Sequence, residues 1–156
     1  MKINDYGKTA ILKKRLYLDN CSFNRPYDNL SLFKNYLEAE AKMYIQREIL
    51  QESFELAWSY IMDYEVSFNP FSERKNQISK WKNIAKVDVE ESEDILTMAT
   101  EIMEKGVKPK DALHLACAID AKCDYFITTD GGILNKPMER VTIIDPIDFV
   151  RIMEVQ

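Results

Sequence analysis

Histidine occurs once in these 156 residues, at His114, and no Cys-x-x-Cys pair is present, which excludes a zinc finger or similar Cys/His zinc site. The three cysteines, Cys21, Cys117 and Cys123, form an odd set without metal-ligand spacing; Cys117 sits in an apolar stretch and is expected to be a buried free thiol. Glycine is scarce, at 4 residues, and no Gly-rich phosphate loop occurs, so nucleoside-triphosphate chemistry has no support. No apolar run approaches the roughly 18 residues that span a bilayer, so no membrane association is expected. The opening MKINDYGKTAILKKR lacks the apolar core of roughly 7 to 15 residues of a secretory signal, and a cytoplasmic location is expected. Positive charge is in deficit, with a net charge of −5. That argues against strong non-specific nucleic-acid binding, although a cluster of metal-binding carboxylates gives the same bias while leaving basic patches elsewhere.

What remains is ordinary globular composition, 46% hydrophobic and 30% charged, enough for one core and one domain. Residues 1–14 carry Lys2, Lys8, Lys13 and Lys14 with little periodicity, and are expected to be a loosely held tail or a partner-binding arm. The domain proper is expected over 15–156. RLYLD (Arg15 to Asp19) has the pattern of a short strand ending in an acid, and CSFNRPYDN after it has turn chemistry, with Asp28 or Asn29 placed as a cap. From Leu30 to about Ser53, apolar residues including Leu32, Phe33, Tyr36, Leu37, Tyr44, Ile45, Ile49 and Leu50 recur at helical spacing, giving one long amphipathic helix or two joined by a kink.

A second strand is expected over Phe54 to Ile61, then helices over Met62 to Asn69 and Ser72 to Ala85, broken by Asn69-Pro70-Phe71. An edge strand over Lys86 to Val89 and a helix over Glu91 to Lys105 follow, the helix facing inward through Ile95, Leu96, Met98, Ala99, Ile102 and Met103. Gly131-Gly132 permits a sharp turn, Val141 to Ile144 forms a further strand, and Asp145-Pro146 opens a closing helix through Met153. Strands alternating with helices, without a hairpin signal, imply right-handed parallel crossovers: a single α/β domain with a doubly wound parallel sheet of about four to five strands and helices on both faces.

The most informative stretch is Lys108 to Asp130, KPKDALHLACAIDAKCDYFITTD. Pro109 suits a first helical turn, and Ala112, Leu113, Leu115, Ala116, Ala118 and Ile119 supply a surface for packing on a sheet. Asp111 then lies at the positive end of the helix, which also explains an acid there without any function. Tyr125, Phe126 and Ile127 have the character of a buried strand, with Asp130 just beyond it. If that strand is parallel to its neighbours, Asp111 and Asp130 share the carboxyl edge of the sheet, where ligands bind in open α/β folds. Asp19 ends another strand, and Glu65 lies about one turn into a helix facing the same edge.

With YLDN, SYIMDYE, KPKDALHLACA and YFITTD, the chain resembles the PIN-domain nucleases, VapC-like proteins among them, over roughly Arg15 to Phe149. The resemblance implies a small parallel sheet and an acidic metal site. It places the metal-binding and catalytic acids at Asp19, Glu65, Asp111 and Asp130, with Asp63 a nearby rival to Glu65. Asn20 stands where a hydroxyl residue often follows the first aspartate, and Gly131-Gly132 where many members carry an acid and an aromatic. The NRPYD run, Asn24 to Asp28, is similar to that of a less characterised bacterial subgroup. Mg²⁺ or Mn²⁺ suits such a site, since both take carboxylate and water oxygens in octahedral geometry.

Asn20, Arg25, His114 and Thr129 are the substrate-binding candidates. His114, three residues after Asp111, is placed to contact a phosphate, to orient an acid, or to serve as a hydrogen-bonded structural residue. Arg25 suits a phosphate or a loop carboxylate. Ser22, Asn24, Thr128 and Thr129 suit hydrogen bonding or turn shaping. Arg74, Lys75, Lys108 and Lys110 form a candidate nucleic-acid rim. The implied function is metal-dependent hydrolysis of single-stranded RNA, RNA coming from the resemblance alone. The implied partners are RNA, a small antitoxin protein and a second copy of the chain. The contrasting reading is a non-catalytic PIN-fold module that binds RNA or a protein. A haloacid-dehalogenase-type phosphatase would want an aspartate where Cys21 stands.

Overall fold

Antiparallel pairing opens the chain, with β1 (Lys2–Ile3) beside β2 (Thr9–Ala10). Strands of two residues carry no alternation to detect, which is why the sequence holds no sign of this pair. The computed structural model describes residues 2–3, 9–10, 13–24, 31–136 and 138–154. Next comes β3 (Lys14–Leu18), whose consecutive Leu16, Tyr17 and Leu18 are all buried. Successive strand side chains point to opposite faces, so this strand is covered on both sides.

Four further strands, β4 (Phe54–Ser59), β5 (Val87–Val89), β6 (Tyr125–Ile127) and β7 (Thr142–Ile144), join it in a parallel sheet of order β5-β4-β3-β6-β7. The chain winds outward from β3 to β5, then crosses back to continue through β6 and β7 on the other side. The direction of winding therefore reverses between β3 and β6, and the crevice at their carboxyl ends is the position where such sheets bind ligands. Tyr17 of β3 stacks on Phe126 of β6 with ring centroids 5.3 Å apart, locking the seam.

The helices are α1 (Asn20–Asn24), α2 (Phe33–Leu50), α3 (Tyr60–Ser67), α4 (Ser72–Ser79) with a 3-10 turn over Lys80–Asn83, α5 (Glu93–Met103), α6 (Pro109–Asp120), α7 (Gly131–Leu134) and α8 (Pro146–Glu154). Two of them stand where the sequence suggests only turns. Asp19 accepts from the backbone N–H of Ser22 at the start of α1, and Asp130 accepts from that of Gly132 at the start of α7. Each acid caps a helix of one turn, too short to show a helical period. Gly132 suits this closely: a Cβ there would stand 3.2 Å from Asp130 Oδ1.

α2 is a single helix, but its inward row differs from expectation. Glu38, Ala39, Lys42, Ile45 and Ile49 are buried, whereas Leu32, Phe33, Tyr36, Leu37 and Leu50 are exposed. Two apolar rows lie on the helix, and periodicity alone cannot say which faces the sheet. α5 shows the same limit more mildly, with Ile95, Ala99 and Ile102 buried but Leu96 and Met103 exposed. Ser92 caps α5 by accepting from Ile95 N–H at 3.2 Å. Ser92→Ala is expected to destabilise the fold by about 1 kcal/mol in urea unfolding, with glycine costing less; an unchanged midpoint would deny the cap any energetic role.

α2 packs on α8, and α5 packs on α6. Phe149 of α8 meets Phe54 and Tyr125 edge-on at 5.4 and 5.1 Å, holding the C-terminal helix against the amino ends of β4 and β6, opposite the crevice. Among the described residues no helix is long and apolar enough to cross a membrane.

Candidate functional site

Asp19 is only 4% exposed, so its carboxylate must be held by the protein. Ser22 N–H donates to Oδ1 at 2.9 Å and the Thr128 hydroxyl donates to Oδ2 at 2.6 Å. Ser22 Oγ donates in turn to the Ile127 carbonyl, 2.9 Å away, so the loop after β3 is tied to the end of β6. Burial pushes the Asp19 carboxyl above its usual range, and these hydrogen bonds only partly offset it.

Glu65 approaches from α3. Its Oε1 lies 2.5 Å from His114 Nε2, and His114 Nδ1 lies 2.6 Å from the Tyr17 hydroxyl. Tyr17 is also 2.6 Å from Ser59 Oγ, which accepts from Met62 N–H. With Nε2 donating to Glu65, one continuous set of donors satisfies the row: Ser59 donates to Tyr17, and Tyr17 donates to Nδ1. His114 is 2% exposed and both ring nitrogens are engaged, which places it behind Glu65 as the group that orients it. Burial raises the Glu65 carboxyl, but the His114 hydrogen bond, with the charge of Lys110 and a hydrogen bond from Asn20, outweighs it and leaves the group below its usual range. Asp63, two residues earlier, is turned elsewhere: it accepts from Trp58 Nε1 and from Lys82, each at 2.9 Å.

Asp111 in the first turn of α6 and Asp130 after β6 line one cavity of about 240 Å³, together with Lys108 and Lys136. Asp111 is raised by burial first, then by the charge of Asp130, with Glu65 adding to the effect. Cys21 follows Asp19, in α1. Its thiol is pushed up to about 12 by desolvation and then by the charges of Asp19, Asp130, Glu65 and Asp111. The topology brings the four carboxylates of the sequence reading to one sheet edge, with Asp19 and Asp130 just past β3 and β6, Glu65 on the helix after β4 and Asp111 in the first turn of α6.

An all-oxygen set of mutually repelling carboxylates has the chemistry that Mg²⁺ or Mn²⁺ takes. As placed, no group of three or more His, Cys, Asp or Glu among the described residues is close enough to share an ion. Asp19 and Asp130 each spend an oxygen on capping, but a carboxylate offers about four lone-pair sites, so capping and ligation are compatible. Asn20 and Glu65 line a second cleft, of about 520 Å³, with Arg74 and Lys110 on its wall. Lys75 instead donates to the Ser67 carbonyl at 3.3 Å. Thr129 is buried beside Thr128. Arg25, and the NRPYD run beyond Asn24, lie outside the described residues. Sequence reasoning gave Tyr17 and Ser59 no part near the site. A polar atom on an otherwise core-like strand was the available signal.

The chain matches the family model described as PIN domain over residues 29–137. Glu65, Asp111 and Asp130 fall inside that span and Asp19 precedes it. Among solved structures, the crystal structure of VapBC2 from Rickettsia felis bound to a DNA fragment from their promoter is similar with a TM-score of 0.52 and 17% identity, covering 84% of this chain and 98% of that one. At that identity the likeness speaks for the fold. No curated protein matches the chain in sequence. A match over well over half of the sequence, on a parallel sheet whose carboxyl edge gathers acids, places the chain in the PIN-domain family of nucleases.

Proposed function

We propose that the chain is a Mg²⁺- or Mn²⁺-dependent endoribonuclease that hydrolyses phosphodiester bonds in single-stranded RNA. The observation that carries this reading is the placement of Asp19, Glu65, Asp111 and Asp130 at the carboxyl edge of the parallel sheet, with Asp111 and Asp130 in one cavity. Asp19, Asp111 and Asp130 would hold the metal, with Glu65 binding it directly or through water. A divalent ion bound there would activate water for attack on phosphorus and neutralise the developing charge. The protein need supply no nucleophile of its own. His114 keeps Glu65 ionised and fixed in direction, and Lys108 and Lys136 flank the acids where a phosphate would enter.

The likeness to VapBC2 supports a place in a toxin–antitoxin pair, with a small antitoxin as partner and a second copy of the chain in the assembly. We take the catalytic unit as 15–156 after an N-terminal tail of 1–14, and the location as cytoplasmic.

The test uses the purified full chain. Single-stranded RNA should be cut in the presence of Mn²⁺ or Mg²⁺ and left intact with chelator. Saturable Mn²⁺ in the millimolar range should raise the melting temperature, because an ion that binds the native state draws the folding equilibrium toward it. Absence of both responses would make the chain a non-catalytic module that binds RNA or a protein.

A further inference from the structure

Beside the acids, the second cleft is walled by three aromatic rings that a folded protein would ordinarily bury. Tyr64 is 53% exposed, Phe68 68% and Phe71 54%. Tyr64 on α3 and Phe68, the residue that follows its end, meet at 4.9 Å with ring planes 70° apart, and so form a corner. Pro70 ends α3, and Phe71 N–H donates to the Asn69 side chain at 2.9 Å, which turns the chain and presents Phe71 across the opening. The Arg74 guanidinium lies 4.1 Å from the Phe71 ring centroid, and Lys110 Nζ lies 6.0 Å from that of Tyr64. Asn20 and Glu65 also line it, so the cleft reaches one of the candidate catalytic acids.

We propose that this cleft is a stacking subsite for an unpaired nucleobase of the RNA strand, next to the nucleotide whose phosphate lies at the acids. The proposal rests on the nuclease reading and deepens it. Three features favour a base over another occupant. The exposed apolar surface is aromatic, offering flat π faces that any base can use. Two cations stand on those rings in a chain of net charge −5, which suits a phosphodiester backbone running past them. The volume of about 520 Å³ is that of a small-ligand site, and its lining includes Glu65, one of the candidate acids. A base can reach these rings only if it is splayed from its neighbours, so a single strand fits and a duplex does not.

The experiment measures binding of the full chain to 5′-labelled RNA 12-mers by fluorescence anisotropy, in chelator so that nothing is cut. The probes are an oligouridylate, an oligoadenylate, an abasic strand of equal length and a blunt duplex. Wild type should bind both base-bearing single strands more tightly than the abasic strand and the duplex. Phe68→Ala and Phe71→Ala should each weaken the base-bearing strands about tenfold, with the abasic strand unaffected and Phe68→Trp restoring affinity. Both rings are exposed, so folding is not at risk, and circular dichroism checks it. Equal binding of abasic and base-bearing strands, or affinity unchanged in both alanine variants, would overturn the proposal and leave the cleft to a protein segment. If metal-dependent cleavage is present but base-dependent binding is not, the subsite fails and the nuclease reading stands. Base-dependent binding without any cleavage would keep the stacking subsite and overturn the nuclease reading.

Discussion

Asp111→Asn and Asp130→Asn are each expected to lower metal-dependent RNA cleavage by about 100-fold or more. Loss of a group that merely supports a metal ligand already costs about 10- to 100-fold, and these would be the ligands themselves. The changes are nearly isosteric. Asparagine also caps helices, so α7 should survive Asp130→Asn and the loss should be chemical. Without added metal, Asp111→Asn should melt no lower than wild type at neutral pH. Burial, then the charges of Asp130 and Glu65, hold the Asp111 carboxyl above its usual range. A folded-state value raised above the unfolded one contributes stability that is present in acid and lost as the pH rises through it. The variant removes a group that is unfavourable when ionised, so its advantage should grow from acid toward neutrality. With Mn²⁺ it should gain less than wild type. Undiminished cleavage by both purified variants would move the chemistry to other residues. A destabilised Asp111→Asn beside a metal-insensitive wild type would make Asp111 a helix-start residue only.

Lys42→Met should stabilise the protein at pH 7 by on the order of 1 to 4 kcal/mol, the range for replacing buried charge by a well-packed apolar side chain of similar volume. Lys42 is 0% exposed on the inward row of α2, with Nζ 4.4 Å from the Phe23 ring centroid. In the amide orientation that satisfies its neighbours, Gln46 accepts from Lys42 at 2.8 Å and from Trp81 at 3.2 Å. Burial lowers the ammonium from 10.5 to about 7, although the Asp19 charge pulls the other way. Between those values the unfolded chain binds the proton and the folded chain releases it. Wild-type stability should therefore rise by about 2 kcal/mol from pH 7 to pH 9, at about 1.4 kcal/mol per unit of pH at most. Below pH 7 this dependence should flatten. Above pH 9 the buried thiols of Cys117 and Cys123, pushed up to about 12, keep protons that the unfolded chain loses, and stability should turn down. Urea unfolding at pH 7 and pH 9 checks the whole argument. A Met variant less stable by the same amount at both values would show that ring and amide contacts outweigh the desolvation of the charge.

The parallel sheet and the shared edge of the acids follow from patterns that a one-dimensional chain can carry. Leu16 to Leu18 and Tyr125 to Ile127 are apolar enough to be covered on both faces, and Pro109 sets the start of α6. Parallel strands with right-handed crossovers then bring Asp19, Asp111 and Asp130 to the same side. Glu65 could be placed on its helix, but not told from Asp63. In the fold, Trp58 and Lys82 take Asp63 while His114 takes Glu65. The inward row of α2, with Lys42 on it, was likewise settled by the sheet it packs on.

Local periodicity reports which residues share a face. It does not report what that face meets. The sequence by itself determined the α/β alternation, the family resemblance and the acids as candidates. Only the tertiary structure decided that His114 stands behind Glu65, that Asp19 and Asp130 cap their own one-turn helices, and that Tyr64, Phe68 and Phe71 surround a cleft. The caps are local, on helices too short to show a period; the other two depend on contacts between segments far apart in the chain, and no spacing within one segment encodes the partner it will find in another.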